Sequence, residues 1–351
     1  MDNNLYGYSI EELTSLMKRE NLPRFRAKQI FNWIQINHAS SFTEMTNIPK
    51  TIATRLEDAG YSCTLPTVLQ KSISDDQMTI KCLLELEDGQ QIETVLMRYH
   101  RSSARNRNTV CVSSQAGCAM GCPFCATGNA GFKRNLSTAE IVGQIALMNK
   151  LLQELEAEEN VTNVVYMGMG EPLNNYEQVV RSIRLLNEDQ GLNIGMRRIT
   201  VSTCGLVPQI LRLAEEGMQV TLAVSLHATT NAKRDILVPV NKKYPLEVLL
   251  KTCERYYETT KRKLTFEYTL IEGENDSEQD ARNLKSLLRN LHCNINVIPL
   301  NVVSHADYKR SHFAQHFAKR LNDMNLEAFI REEMGLGIDA ACGQLKGNGG
   351  K

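Results

Sequence analysis

Residues 109–125 read Thr109-Val110-Cys111-Val112-Ser113-Ser114-Gln115-Ala116-Gly117-Cys118-Ala119-Met120-Gly121-Cys122-Pro123-Phe124-Cys125. The first seven have the texture of a strand, and the rest carry a C-x3-C-x2-C spacing. A structural zinc site wants four ligands, usually as two separated pairs. Here there are three close thiols and no nearby His, so such a set is one ligand short. Three thiolates suit a 4Fe–4S cluster with one iron left open. Gly117 and Gly121 let the loop bend tightly around such a group.

Downstream of this stretch the chain alternates. Strands are predicted at 109–115, 163–168, 198–203, 219–226, 263–271 and 294–300. Helices are predicted near 137–153, 174–188, 207–216, 245–260, 277–291 and 312–324, the first opened by a Ser137/Glu140 capping box. A final strand at 327–332 precedes a Gly-containing tail. Six βα units imply an α/β fold with a parallel sheet and helices outside, doubly wound or a barrel. Six fall short of a closed eightfold barrel. In either arrangement the cysteine loop lies at the C-terminal rim of the strands, where such folds keep their chemistry.

Upstream, residues 1–60 read as helical. Ser9 and Glu12 form a capping box, Leu13, Leu16 and Met17 share one face, and a second helix carries Ala27, Ile30, Phe31 and Ile34. A third follows Pro49, with Ile52 and Leu56 inward and Gly60 as its stop. Met78–Leu86 and Gln91–Tyr99 flank a Glu87-Asp88-Gly89 turn and read as a hairpin. Arg98–Asn108 is polar and basic and reads as a loop.

Composition bounds the rest. The 351 residues are 42% hydrophobic and 23% charged, with 40 Lys+Arg against 40 Asp+Glu. Such a chain folds, and its neutrality excludes a histone-like polycation. No apolar run reaches membrane-spanning length, and the N-terminus lacks the basic and apolar segments of a signal peptide. The expectation is a cytoplasmic protein with no membrane association, whose ten cysteines are reduced.

The C-x3-C-x2-C loop with an aromatic before its last Cys resembles the signature of radical S-adenosylmethionine (SAM) enzymes. That resemblance implies a partial (β/α)6 barrel, in keeping with the six units counted. Further motifs sharpen it. Cys111–Cys118, Met167-Gly-Met-Gly170-Glu171-Pro172, Ser225-Leu226-His227 and Ile338-Asp-Ala-Ala-Cys342-Gly-Gln-Leu345 are together similar to the RlmN/Cfr family of RNA adenine methyltransferases, in order over nearly the whole chain.

The resemblance implies a full assignment. Cys118, Cys122 and Cys125 hold a 4Fe–4S cluster. Gly170 and Glu171 hold the SAM amino group, and Ser202, Ser225, Leu226, His227 and Asn301 complete the SAM site. Two SAM are used per turnover. Cys342 is methylated by one SAM; the second supplies the radical that activates the methyl group for addition to adenine. Cys111 then assists proton removal and closes a disulfide with Cys342. Glu93 matches a family proton acceptor, although read alone it is a surface strand residue. Read alone, too, Glu171 is a solvated turn residue, Ser or His at a strand end is structural, and Cys111 and Cys342 are buried hydrophobes. The partners implied are 23S rRNA, at a peptidyl-transferase-centre adenine, and tRNA, at an anticodon-adjacent adenine. An electron donor such as flavodoxin or ferredoxin is implied as well, and a monomer.

The chain is accordingly divided into a helical accessory RNA-binding domain (1–62), a β-hairpin and basic linker (63–108) and a radical SAM barrel with a C-terminal catalytic tail (109–347). Lys18, Arg19, Arg24, Arg26 and Lys28, then Arg98, His100, Arg101, Arg105 and Arg107, offer basic stretches for RNA phosphates. Glu171-Pro172 favours C2 over C8 methylation, since the Cfr branch has Ala after that Glu. The rivals are C8 methylation and, in another class, a non-enzymatic metal-binding RNA module. Two departures from the family stand out: Cys204, where relatives carry Ser, and Leu300-Asn301-Val302, where they carry Trp-Asn-Pro. Cys63, Cys82, Cys253 and Cys293 read as core.

Overall fold

Ser9 opens the first helix as its sequence implies. Its hydroxyl accepts the Glu12 N–H at 3.2 Å, and the Glu12 carboxylate accepts the Ser9 N–H at 2.8 Å, a cap worth about 1 kcal/mol. The computed structural model describes residues 3–99, 106–155, 159–301, 307–332 and 334–345. Three helices, α1 (Ile10–Arg19), α2 (Phe25–Gln35) and α3 (Lys50–Asp58), close over a core of Leu13, Leu16, Met17, Ile30, Phe31, Ile34 and Leu56. Ile52 is only half-buried, and Ala53 takes the inward position. This core also takes in Ala139, Val142 and Ala146 from the helix after the cysteine loop. Arg181 ties the two parts together, donating to the Gly7 carbonyl and to Glu12 at 2.6 Å.

Next comes an antiparallel meander of β1 (Thr67–Ile73), β2 (Thr79–Glu85) and β3 (Gln91–Tyr99). The β2–β3 hairpin was expected; β1 was not, because its exposed residues show no apolar alternation. The hairpin is no detached connection. β3 pairs antiparallel with β4 (Arg107–Cys111), with Val95 opposite Cys111, so the meander is one edge of the main sheet. After β4 the cysteine loop is framed by short β5 (Gln115–Gly117), α4 (Ala126–Asn129) and β6 (Phe132–Asn135).

Then follow α5 (Thr138–Leu155), β7 (Asn163–Tyr166), α6 (Tyr176–Leu186), β8 (Ile199–Thr203), α7 (Val207–Glu215), β9 (Thr221–Ser225), α8 (Asn231–Leu237), α9 (Leu246–Thr260), β10 (Leu264–Leu270), α10 (Glu278–Leu288), β11 (Cys293–Pro299), α11 (Ala314–Asp323) and β12 (Ala328–Ile330). The ten-stranded sheet runs β1-β2-β3-β4-β7-β8-β9-β10-β11-β12. From β4 onward every pairing is parallel. This is the partial (β/α)6 barrel that the family resemblance implied, with a mixed edge. Buried Val164, Val201, Leu222, Phe266, Ile295 and Val297 form its core with the helices outside. All seven parallel strands, β4 and β7 to β12, therefore end at one rim. Among the described residues no helix is long and apolar enough to cross a membrane.

Candidate active site

The cysteine loop is pinned before its first thiol. Gln144 from α5 brackets Ser113, accepting its N–H at 2.8 Å and donating to its carbonyl at 3.0 Å. Asn175 donates to the carbonyls of Ser114 and Leu136. Gly117 has φ +75°, and a Cβ there would lie 1.8 Å from the Gly131 carbonyl oxygen, so no other residue fits. Cys118, Cys122 and Cys125 are half-buried free thiols. Burial, and for Cys122 then the neighbouring Cys125 and Cys118, pushes all three up, Cys118 to about 12. Thiols that raise one another share one space, and a positively charged iron centre placed there would reverse the effect. Phe124, Ala228, Leu237, Ile271 and Leu300 form an apolar wall against Cys122 and Cys125.

Among the described residues no three His, Cys, Asp or Glu converge on a single metal ion. The donor set is three soft thiols in apolar surroundings. It fits a polynuclear iron–sulfur group and does not fit a mononuclear zinc site.

Gly168, on the wall of the rim cavity, and Gly170 also have a packing role. A Cβ on Gly168 would come within 2.7 Å of Val112 backbone, and one on Gly170 within 2.5 Å of the Gln115 side chain. They let the loop after β7 pack on the loop after β4. Glu171 is buried, which overturns its reading as a solvated turn residue. Its carboxylate accepts N–H bonds from Leu173 at 3.1 Å and Cys204 at 2.8 Å. Burial still pushes it above the usual carboxylate range. Cys204 is buried too, its thiol held protonated by burial and by Glu171, so it is no reactive rim thiol.

At the rim lies a cavity whose wall includes Cys125, Ser202, Ser225, His227, Asn301 and Cys342. Residues singled out from three strand ends and two loops thus meet at one space. Gly170, Glu171 and Leu226 are not on this wall. His227 takes the left-handed conformation, φ +55°. Its Nδ1 accepts the Thr269 N–H at 3.0 Å. Burial, then the charge of Arg234, lowers its pKa to about 3, so the ring is neutral. With Nδ1 an acceptor, the proton sits on Nε2 and offers a donor. Asn301 donates from Nδ2 to the Cys342 carbonyl at 3.0 Å, while its Oδ1 is buried without a partner among the described residues. A ligand N–H would satisfy it. Leu300 keeps this wall apolar.

A second cavity adjoins the first, and its wall includes Cys111, Cys342, Met167, Arg331 and Asn301. Cys342 and Arg331 belong to both. The tail is held over the rim by the Gly343 carbonyl, which accepts the Ala126 N–H at 2.8 Å, and by Thr127 donating to Leu345. Cys111 is buried, and burial followed by the nearby Cys342 pushes its thiol up to about 12. The expected disulfide is absent: all ten cysteines are free thiols. Cys63, Cys82 and Cys253 are buried as read; Cys293 is half-buried against the core.

Glu93 departs from its reading as a surface residue. It lies on β3, buried, with Lys81 at 3.2 Å, and it lines neither cavity. The Val95–Cys111 pairing explains this: β3 is an interior strand, covered on both sides by β2 and β4. The basic stretches divide. Lys18, Arg19, Arg24 and Lys28 are exposed. Arg26 bonds Gln29 and the Asn47 carbonyl. Arg98 is buried 3.8 Å from Glu159, and so is no phosphate ligand. Arg107 is exposed and lies over the Tyr99 ring. His100, Arg101 and Arg105 lie outside the described residues. Sequence reasoning missed Arg331, which follows the last strand directly, and Glu267, buried on β10 with its Oε2 unbonded and 3.7 Å from Arg331. The place of Arg331 directly after a strand was the available signal; Glu267, at the middle of β10, carried none.

Comparison with known proteins places this geometry. The radical SAM superfamily matches over residues 112–284, and the ribosomal RNA large subunit methyltransferase N-terminal domain over 3–61. A probable dual-specificity RNA methyltransferase RlmN from Dictyoglomus thermophilum is 45% identical over 346 residues, covering 98% of this chain and 97% of that protein. One from Moorella thermoacetica is 46% identical over 347 residues, with the same coverage. The crystal structure of a radical SAM methyltransferase from Sphaerobacter thermophilus superposes with a TM-score of 0.93 at 45% identity, covering 98% of this chain and 99% of that one.

Proposed function

The chain belongs to the RlmN family of radical SAM RNA methyltransferases, and from that premise we propose that it methylates C2 of adenine, in 23S rRNA at the peptidyl-transferase centre and in tRNA beside the anticodon. The observation that carries this reading is the pair of joined cavities. One has the cluster-loop Cys125 and the strand-end residues on its wall; the other has Cys111; Cys342 belongs to both. A methyl carrier must face its methyl source and its acceptor, and Cys342 is positioned to do both.

Cys118, Cys122 and Cys125 would hold the cluster, and the pocket of Ser202, Ser225, His227 and Asn301 would hold SAM. Bound together, these two groups supply the methyl group and the radical that makes it reactive toward an electron-poor aromatic carbon. The chain does the rest. His227 offers its Nε2 proton and Asn301 its free Oδ1 to the ligand. Glu171, buried and acceptor-only, is suited to an ammonium group beside it. Cys342 carries the methyl group as a thioether. Cys111, as its thiolate, would take the proton lost from the modified ring carbon; its sulfur would then bond to the Cys342 sulfur as the S–C bond breaks, the electron pair and the proton passing to the freed methyl group and leaving a Cys111–Cys342 disulfide for an external thiol to reduce. Arg331, whose pKa is pushed up by Cys342 first among its neighbours, supplies a fixed positive charge between the two thiols. The helical residues 1–62, with exposed Lys18, Arg24 and Lys28, are assigned to RNA phosphates, and the adenine is extruded into the Cys111 cavity at a few kcal/mol.

Glu171-Pro172 favours C2 over C8. Anaerobic turnover on both RNAs, with the methyl position mapped on the product, tests this. 2-Methyladenosine supports the assignment; 8-methyladenosine replaces it with the C8 activity, and no methylated base at all rejects it.

A further inference from the structure

Arg234 is the bulkiest side chain that the fold buries completely, at 0% exposure. It projects from α8 beneath the ends of β8 and β9. Its Nε donates to the Leu226 carbonyl at 3.1 Å and its Nη1 to Asn241 Oδ1 at 3.1 Å. Its Nη2 donates to the Cys204 carbonyl at 2.7 Å and the Ser225 carbonyl at 2.9 Å. All four acceptors are neutral. The adjacent Asp235 turns its carboxylate to the Asn241 amide at 2.7 Å instead. Glu171 lies on the far side of Cys204, bonded to that residue's N–H. A guanidinium taken out of water without an anion at hydrogen-bonding distance is costly, and carbonyl dipoles offset the cost only in part.

Arg234 lies against the apolar wall of the cysteine loop. Leu237 and Val238, three and four residues beyond Arg234, belong to the apolar wall that packs on Cys122 and Cys125. Cys204, whose carbonyl Arg234 holds, belongs to that wall too.

We propose that Arg234 is the buried countercation of the cluster, a fixed positive charge that stabilises the reduced, more negative state and so sets the potential at which an electron donor can load it. This rests on the cluster assignment above. It also gives Arg234 a positioning role, since the same guanidinium ties the carbonyls after β8 to those after β9 and so fixes the strand ends that carry Ser202, Ser225 and His227. The two roles separate by charge. Lys keeps the charge and loses most of the carbonyl bonds, whereas Met loses both.

The test is a potentiometric titration of the anaerobically reconstituted full chain, read by electron paramagnetic resonance, for wild type, Arg234→Lys and Arg234→Met. At a fixed potential the reduced-to-oxidised ratio should fall about tenfold in Arg234→Met, equivalent to ~59 mV for one electron, and stay within about threefold of wild type in Arg234→Lys. Equal potentials in all three would overturn the proposal and leave Arg234 a brace. Should Arg234→Met fail to load iron, Arg234→Lys decides. Loading and potential close to wild type support the countercation, and a loading defect as complete as that of Met makes Arg234 a brace. A wild-type chain that takes up no 4Fe–4S cluster rejects the cluster assignment itself, an outcome distinct from either.

Discussion

The two sets of thiols differ in how the fold assembles them. Cys118, Cys122 and Cys125 lie within one short loop, bent at Gly117 and pinned by Gln144 and Asn175. Cys111 and Cys342 lie at opposite ends of the barrel region and meet only because β4 is an interior strand and the tail folds back across the rim. The first set depends on local chain geometry and the second on the whole barrel. Changes in the loop should therefore remove a whole function at once, and changes around the pair should separate its steps.

The largest effect is expected from Cys118→Ala, Cys122→Ala or Cys125→Ala. Each should abolish iron binding and with it all methylation, as measured by iron and sulfide content beside turnover. Full iron content with activity in Cys122→Ala would break the distinction between the two sets. Gly117→Ala comes next. It puts a Cβ on the Gly131 carbonyl at a positive φ, a strain of at least ~1–2 kcal/mol from the backbone alone. Iron loading should drop severely while the alkylation of Cys111 in denaturant stays normal. Unchanged loading would show that the loop is not geometrically fixed.

Much of this was legible in the sequence. The strand and helix alternation gave the six units because each parallel strand is buried on both faces and each helix carries one apolar stripe. The cysteine spacing identified the loop because its ligands are local. β1 escaped notice, since an exposed edge strand has no alternation to read. Glu93 was misread because nothing in Gln91–Val95 shows that a third strand covers it. The Cys111–Cys342 meeting and the role of Arg331 depend on long-range closure, which no local pattern records; only family resemblance pointed to the two cysteines.

A smaller effect concerns pH. His227 and His38 are buried, with pKa values lowered to about 3 and about 4 from 6.5. Below pH 6.5 the unfolded chain takes up protons that the folded chain refuses. Stability is therefore full above that pH and is lost as pH falls toward 4, at most about 1.4 kcal/mol per pH unit for each group. His227→Gln should flatten this slope, measured as urea midpoints of the cluster-free chain at pH 7.5 and 5. An unchanged slope would mean that His227 does not stay neutral at the SAM pocket. The smallest effect is expected furthest from both thiol sets. Arg24→Gln with Lys28→Gln should weaken RNA binding and reduce its salt dependence by roughly one unit of slope per lost phosphate contact. The iron content should not change. An unchanged salt slope would return these side chains to a merely solvated surface.

The central claim is that Cys342 carries the methyl group and Cys111 releases the product from it. Mass analysis of Cys111→Ala, expressed with its RNA substrates and digested by nuclease and protease, tests this most directly. Cys111→Ala should yield a nucleotide bonded through one carbon to the Cys342 peptide, and the Cys111→Ala/Cys342→Ala double variant no such adduct. Normal turnover by Cys111→Ala with an unmodified Cys342 peptide would contradict it.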